Sequence, residues 1–236
     1  FVAIIAVAAL RGPWGRWALG PMAFVSATTM VVLAVDVMTG SRLQLSSLMG
    51  LQPVVGGRYY GMGNPTFALF ATATILLCTA VSSMLVTAGR RRAAALAVVL
   101  IGGFALVVDA MPFWGADGGG PPALLPGLAY LVLTVLGLRL TWKRLLLLAL
   151  SVVAVFFLVA GADWLRPASS RTHLGRFVQA IIDGNALDIV IRKGQQNIDI
   201  LLGNAPLTLL VAAALLFVTY VLARPTSWGS RAMQRS

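Results

Sequence analysis

Long apolar runs separated by short polar clusters set the pattern of this chain. A helix that crosses a bilayer needs about 20 mainly apolar residues, at about 1.5 Å rise each, to pass a hydrocarbon core about 30 Å thick. Six runs approach that length: 18–38, 66–88, 93–113, 121–138, 145–162 and 205–223. Residues 1–10 make half of another run, closed by Arg11. That half-run predicts a truncated first span and a chain that belongs to a longer protein. Nothing alternates with period two over about ten residues, as a barrel strand would. The expected fold class is therefore an all-α integral membrane protein, a helical bundle of about seven transmembrane helices with the first one truncated.

Seven spans leave outer connections 39–65, 114–120 and 163–204. The last is 42 residues, too long to be structureless in a compact domain. Apolar residues at 174, 177, 178, 181 and 182 predict one amphipathic helix, with Thr172 to cap it and Gly184-Asn185 to end it. A weaker segment, 187–202, is broken by Gly194. Both are expected to lie at the outer membrane surface or on top of the bundle.

Composition agrees with this picture: 59% of residues are hydrophobic and 11% charged, against about a quarter charged in soluble domains. Mean hydropathy is +0.90. The formal charge of +11 would point to nucleic acid in a soluble chain, but here basic residues punctuate spanning runs, and no nucleic-acid partner is expected. Arg11, Arg16, Arg90 to Arg92, Arg139, Lys143, Arg144, Arg224, Arg231 and Arg235 fall on one side with no acid. The other side carries seven basic residues and all seven aspartates. The positive-inside rule makes the first side cytoplasmic, so residue 1 starts outside and the tail 224–236 ends inside. Sixteen Arg against two Lys, with no Glu, fits a GC-rich bacterial genome. The single Cys78 excludes an intrachain disulfide and a cysteine zinc site. Tryptophans 14, 17, 114, 142, 164 and 228 fall near predicted helix ends, as in an aromatic belt.

Candidate chemistry gathers on the outer side. Three outgoing helices end near Asp36, Asp109 and Asp163. Aspartate opposes the negative end of the helix dipole unless a cation or donor compensates. Ion pairs to Arg42, Arg58, Arg166 or Arg171 are one solution, and convergence of carboxylates on a divalent cation or as acid and base is another. Gly56 to Pro65 reads as a tight loop presenting Arg58, Tyr59 and Tyr60, suited to an anion at a helix N-terminus, with Asn64 and Pro65 as N-cap and N1. The stretch 109–122 is rich in glycine and carries Asp109 and Asp117, and Pro121 and Pro122 open the next helix. His173 is the only histidine, so an oxygen-seeking Mg²⁺, Mn²⁺ or Ca²⁺ is the metal such a set would take.

The stretches Asp36 to Leu45, Gly57 to Asn64, Trp114 to Gly119 and Arg166 to Arg176 resemble an actinobacterial family of large multi-pass membrane proteins of unsettled function. The resemblance runs from about residue 30 to about residue 203 and implies that this chain is a C-terminal membrane half. The preceding half would resemble an extracytoplasmic alkaline-phosphatase-like domain and hold the metal-dependent chemistry. Gly118-Gly119-Gly120-Pro121-Pro122 is richer in glycine and proline than the family pattern.

Three functions fit. The first is a membrane module of a bacterial cell-envelope protein in the inner membrane, with an outward polar site for a lipid-linked or phosphate-bearing envelope precursor. There Asp109, Asp117 and His173 would be the catalytic groups, Asp109 and Asp117 the metal ligands, and Arg58, Tyr59, Asn64, Arg171, Arg176 and Lys193 would bind substrate. The second is a passive anchor or scaffold for an extracytoplasmic domain. The third, a transporter or flippase-like half, has few mid-membrane ionisable residues to support it. A shared outward cavity is expected for the first reading, and dispersal on separate loops for the second.

Overall fold

The computed structural model describes residues 2–45, 47, 61–217 and 219–220. Among them the regular structure is helical: α1 (Val2–Arg11), α2 (Gly20–Met38), α3 (Asn64–Thr87), α4 (Arg91–Ala110), α5 (Gly120–Val135), α6 (Trp142–Trp164), α7 (His173–Ile182), α8 (Ala186–Gly203) and α9 (Ala205–Phe217). Short 3-10 turns lie at Pro13–Arg16 and Ala168–Ser170. Two compact units divide the chain, Phe1–Val178 and Gln179–Ser236.

Among the described residues four helices, α2, α3, α4 and α6, are long and apolar enough to cross a membrane. A fifth span arises if α8 and the Thr208–Phe217 part of α9, bent by 86°, are taken as one. Helix α5 has 16 residues and α1 has 10, so length alone does not reach the expected seven. This architecture is consistent with a multi-pass membrane protein.

In the first unit the helices pack in chain order, α1 on α2, α2 on α3, α3 on α4, α4 on α5 and α5 on α6, with α3 also against α5. Small side chains allow this approach. Ala34, Ala73, Cys78 and Ala105 are buried beside Met30, Phe70, Val98, Leu124 and Leu128. At Gly102 α5 approaches closely: an added Cβ would stand 2.6 Å from both Leu128 methyl carbons. Large apolar side chains instead cover the outside, among them Val31, Val35, Leu96, Leu100, Phe104, Leu150, Val153 and Leu158. Soluble monomers do not expose apolar surface on this scale. Helix α6 is the extreme case, with only 6% of its apolar window buried.

The ends of the bundle differ. At the basic end, α3 and α5 stop at left-handed glycines, Gly89 (φ 74°) and Gly137 (φ 69°). The amides of Arg90 and Leu138 then donate back to the Leu85 and Leu133 carbonyls, at 2.8 Å each, which satisfies helix carbonyls that would otherwise lack donors. Thr141 Oγ1 caps α6 by accepting from the Arg144 amide at 3.4 Å. Trp14 lies flat on Phe24, with centroids 4.3 Å apart, and its indole N–H donates to the Ala8 and Ala9 carbonyls. The opposite end carries the buried aspartates.

Candidate functional site

Asp36, in the last turn of α2, folds the following segment back on itself. Its carboxylate accepts from the Leu43 amide at 2.7 Å and from Gln44 Nε2 at 3.2 Å. Gln44 Oε1 in turn accepts from the Gly63 amide at 3.3 Å, one residue before α3. Ser41, fully buried with φ 58°, donates its hydroxyl to the Gly61 carbonyl at 3.0 Å. Two hinges thus tie the exit of α2 to the entry of α3. Gln44 and Ser41 were not among the residues expected to matter, and the Asp36 donors are an amide and a carboxamide rather than Arg42, which is exposed.

The link continues into the glycine-rich connection. The Met62 amide donates to the Gly115 carbonyl at 2.8 Å. Gly61, with φ 83°, lies so near that an added Cβ would meet that carbonyl at 2.4 Å. The Gly115 amide donates to the Val108 carbonyl at 2.9 Å and the Asp117 amide to the Asp109 carbonyl at 3.1 Å, wrapping the loop onto the end of α4. Ala116 between them is buried with φ 49°. Among the described residues, Ser41 and Ala116 are the non-glycine residues in the left-handed region, a conformation that costs roughly 1–2 kcal/mol and persists where surrounding contacts impose it.

Asp109 has no accessible surface. Its carboxylate packs on the first residue of α5: a Cβ at Gly120 would fall 1.6 Å from Oδ2. The carboxyl group therefore turns from the C-terminal end of α4 towards the N-terminal end of α5, the end of a helix that favours an acidic group. Asp117 is nearly buried, and its Oδ1 accepts from the Gly119 amide at 3.0 Å, a local turn that sets the N-cap of α5. Pro121 and Pro122 follow at the helix start, as expected.

At Gly118 the connection meets α7, where an added Cβ would contact Leu174 at 2.5 Å and His173 Nε2 at 3.5 Å. Asp163 then completes the chain of contacts. Its Oδ2 accepts from the Thr172 amide (2.9 Å), the Thr172 hydroxyl (2.7 Å) and the Gly175 amide (2.7 Å). Its Oδ1 pairs with Arg166 at 3.0 Å. Thr172 Oγ1 accepts from the Leu174 amide at 3.3 Å and so caps α7, as its position predicts. In the second unit, Gly184 (φ 78°) ends α7 with the Asn185 amide on the Ala180 carbonyl, also as expected.

The predicted site residues separate into three groups. Asp109, Asp117 and His173 share one end of the first unit, the last exposed and the first two turned inward. Arg171 and Arg176 stand beside them. The Arg171 guanidinium lies 5.3 Å from the Trp164 ring centre and donates to the Arg166 carbonyl, while exposed Arg176 donates to the Thr172 carbonyl. Asn64 needs correction. Gly63 is the N-cap of α3, its amide held by Gln44, and Asn64 is an exposed first helical residue without a capping bond. Lys193 is exposed on α8 in the second unit. Arg58 and Tyr59 lie outside the described residues. Among the described residues, no group of three or more His, Cys, Asp or Glu side chains is arranged to hold a metal ion. Two apolar cavities among the described residues lie between helices, lined by α4, α5 and α6 and by α3 and α5, and none of these site residues lines them.

No family model matches this chain, and neither the curated proteins nor the solved structures contain a match to it.

Proposed function

We propose that this chain is the membrane scaffold of a multi-pass bacterial cell-envelope protein, with its aspartate-bearing end as a rigid platform for an extracytoplasmic domain. The supporting observation is the use made of the carboxylates. Asp36 and Asp163 each bind several chain groups, Asp117 closes a turn, and Asp109 is sealed against α5. A buried acid engaged in this way holds loops in place and is closed to a substrate. The charge distribution supports the orientation, with the basic end at the cytoplasm, residue 1 outside, seven membrane passes, and α7 and α8 as amphipathic helices at the outer surface. Inner-membrane location and actinobacterial kinship rest on the sequence resemblance.

The outward binding site for a lipid-linked or phosphate-bearing precursor is the second reading, favoured by exposed His173 and Arg176 beside the glycine-rich connection. Full-length protein carrying His173→Ala with Arg176→Ala, expressed in its own cells at wild-type abundance, separates the two. Scaffolding predicts intact envelope function, measured as growth under cell-wall stress. Loss of that function at normal membrane abundance overturns scaffolding in favour of the site.

A further inference from the structure

A cavity of about 550 Å³ lies between α4, α5 and α6, within the size range of small-molecule sites. Its walls are apolar, with Val99, Gly103, Ala129 and Leu147 among the lining residues, and Ser151 and Arg144 are the polar exceptions. Val99 and Leu147 are more than half exposed, so the hollow opens sideways from the bundle. Along α6 it runs from Arg144 to Ser151, about 10 Å of helix.

The basic end of this groove is built differently from its walls. The half-buried Arg144 is held by a bond from its guanidinium to the Arg139 carbonyl. Arg91 approaches the same turn from α4, its guanidinium 2.8 Å from where a Gly137 Cβ would stand. Two cations therefore border one turn at the end of an apolar slot. The second hollow, about 320 Å³ between α3 and α5, is lined by residues such as Phe67, Ala71, Ile75 and Leu124, with no charged side chain among its described lining residues. An acyl chain suits both hollows, but only the first has a cation, Arg144, among its described lining residues, with Arg91 on the adjoining turn.

We propose that the α4–α5–α6 groove is a binding site for one anionic phospholipid, an acyl chain between Gly103 and Leu147 and its phosphate at Arg91 and Arg144. This rests on the membrane reading above. Gly103 supplies a probe, because it lines the groove and an added Cβ there meets nothing within 4 Å, so Gly103→Leu starts a side chain in the space of the groove.

The test uses the full chain in vesicles containing phosphatidylglycerol or phosphatidylcholine with a diazirine in one acyl chain. After irradiation, label from phosphatidylglycerol should concentrate on Val99, Leu147 and Ser151 and fall sharply in Gly103→Leu. Arg91→Gln and Arg144→Gln should each weaken labelling by phosphatidylglycerol about fivefold and leave phosphatidylcholine unchanged. Equal labelling by both lipids, or even labelling around the bundle, overturns the proposal. So does protection of Val99 and Leu147 with cross-links from them to α9 or a second copy, which would assign the groove to protein. Alkaline carbonate extraction of the same vesicles distinguishes the failures: a chain released to the supernatant overturns the membrane reading itself, whereas a retained chain with even labelling overturns the groove alone.

Discussion

Thr172 and Asp163 grip each other twice: both the amide and the hydroxyl of Thr172 donate to the same carboxylate oxygen, at 2.9 and 2.7 Å. Hydrogen bonds to a charged acceptor contribute about 1.5–3 kcal/mol. Thr172→Val, which removes the hydroxyl and keeps the shape, should destabilise the chain by about 1–2 kcal/mol, while Thr172→Ser should cost much less. Denaturation in detergent measures both. Combined with Asp163→Asn, the valine variant should show a coupling of at least about 0.5 kcal/mol, and additivity would refute a direct partnership.

Adjacent glycines in α4 should respond in opposite ways. Gly102→Ala drives a methyl into the Leu128 methyls at 2.6 Å, an overpacking expected to cost about 1–3 kcal/mol. Gly103→Ala points into open space and should gain about 0.5–1 kcal/mol from helix propensity. Comparing the unfolding midpoints of the two variants checks the α4–α5 approach.

Gly120→Ala should be poorly tolerated, because the new methyl occupies the space of the Asp109 carboxylate, with a penalty of about 1–3 kcal/mol or more. Asp109→Ala removes the obstructing group, so the double variant should cost less than the sum of the singles. Membrane abundance and thermal stability of the four proteins provide the cycle, and simple additivity would count against the contact.

Gln44→Glu should introduce a pH dependence. It replaces the carboxamide donor facing Asp36 Oδ2, 3.2 Å away, with a second carboxylate. Two like charges at that distance oppose joint ionisation, so the introduced carboxyl holds its proton more tightly when folded. The folded state then binds more protons than the unfolded one, and stability relative to the native sequence falls as pH rises from about 4 towards neutrality. Denaturation midpoints of both proteins between pH 4 and pH 7.5 should diverge upward in pH, and parallel curves would overturn the Asp36–Gln44 assignment.

Periodicity and run length located the helices well, because a span is written locally. The runs 18–38, 66–88 and 145–162 fall on α2, α3 and α6 with small shifts at their ends, and Thr172 and Gly184 carry their caps in their own residue types. The unusual residues at helix ends were also legible, since an aspartate at a helix C-terminus calls for a partner. The identity of those partners was not. Gln44 answers Asp36 and Gly120 answers Asp109 through folded geometry, and neither residue type announces that service. Glycines also serve close packing of chain on chain, as Gly61 on Gly115 and Gly175 on Asp163 show. Asn64 looked like a cap because asparagine usually is one, but Gln44 fixes the chain at Gly63 and moves the boundary by one residue.

The shortness of α5 bears on the membrane itself. Its 16 residues make a column of about 24 Å, against a hydrocarbon layer of about 30 Å. As one of the seven passes proposed above, α5 would require the bilayer to thin beside it or the connection 111–119 to sink below the headgroups. At that depth water no longer serves exposed peptide groups. The loop's own bonds then take on a second meaning: the Trp114, Gly115, Ala116, Asp117 and Gly119 amides all donate within the protein, which equips a recessed, dry hairpin to sit where an ordinary loop would have to climb back to the solvent.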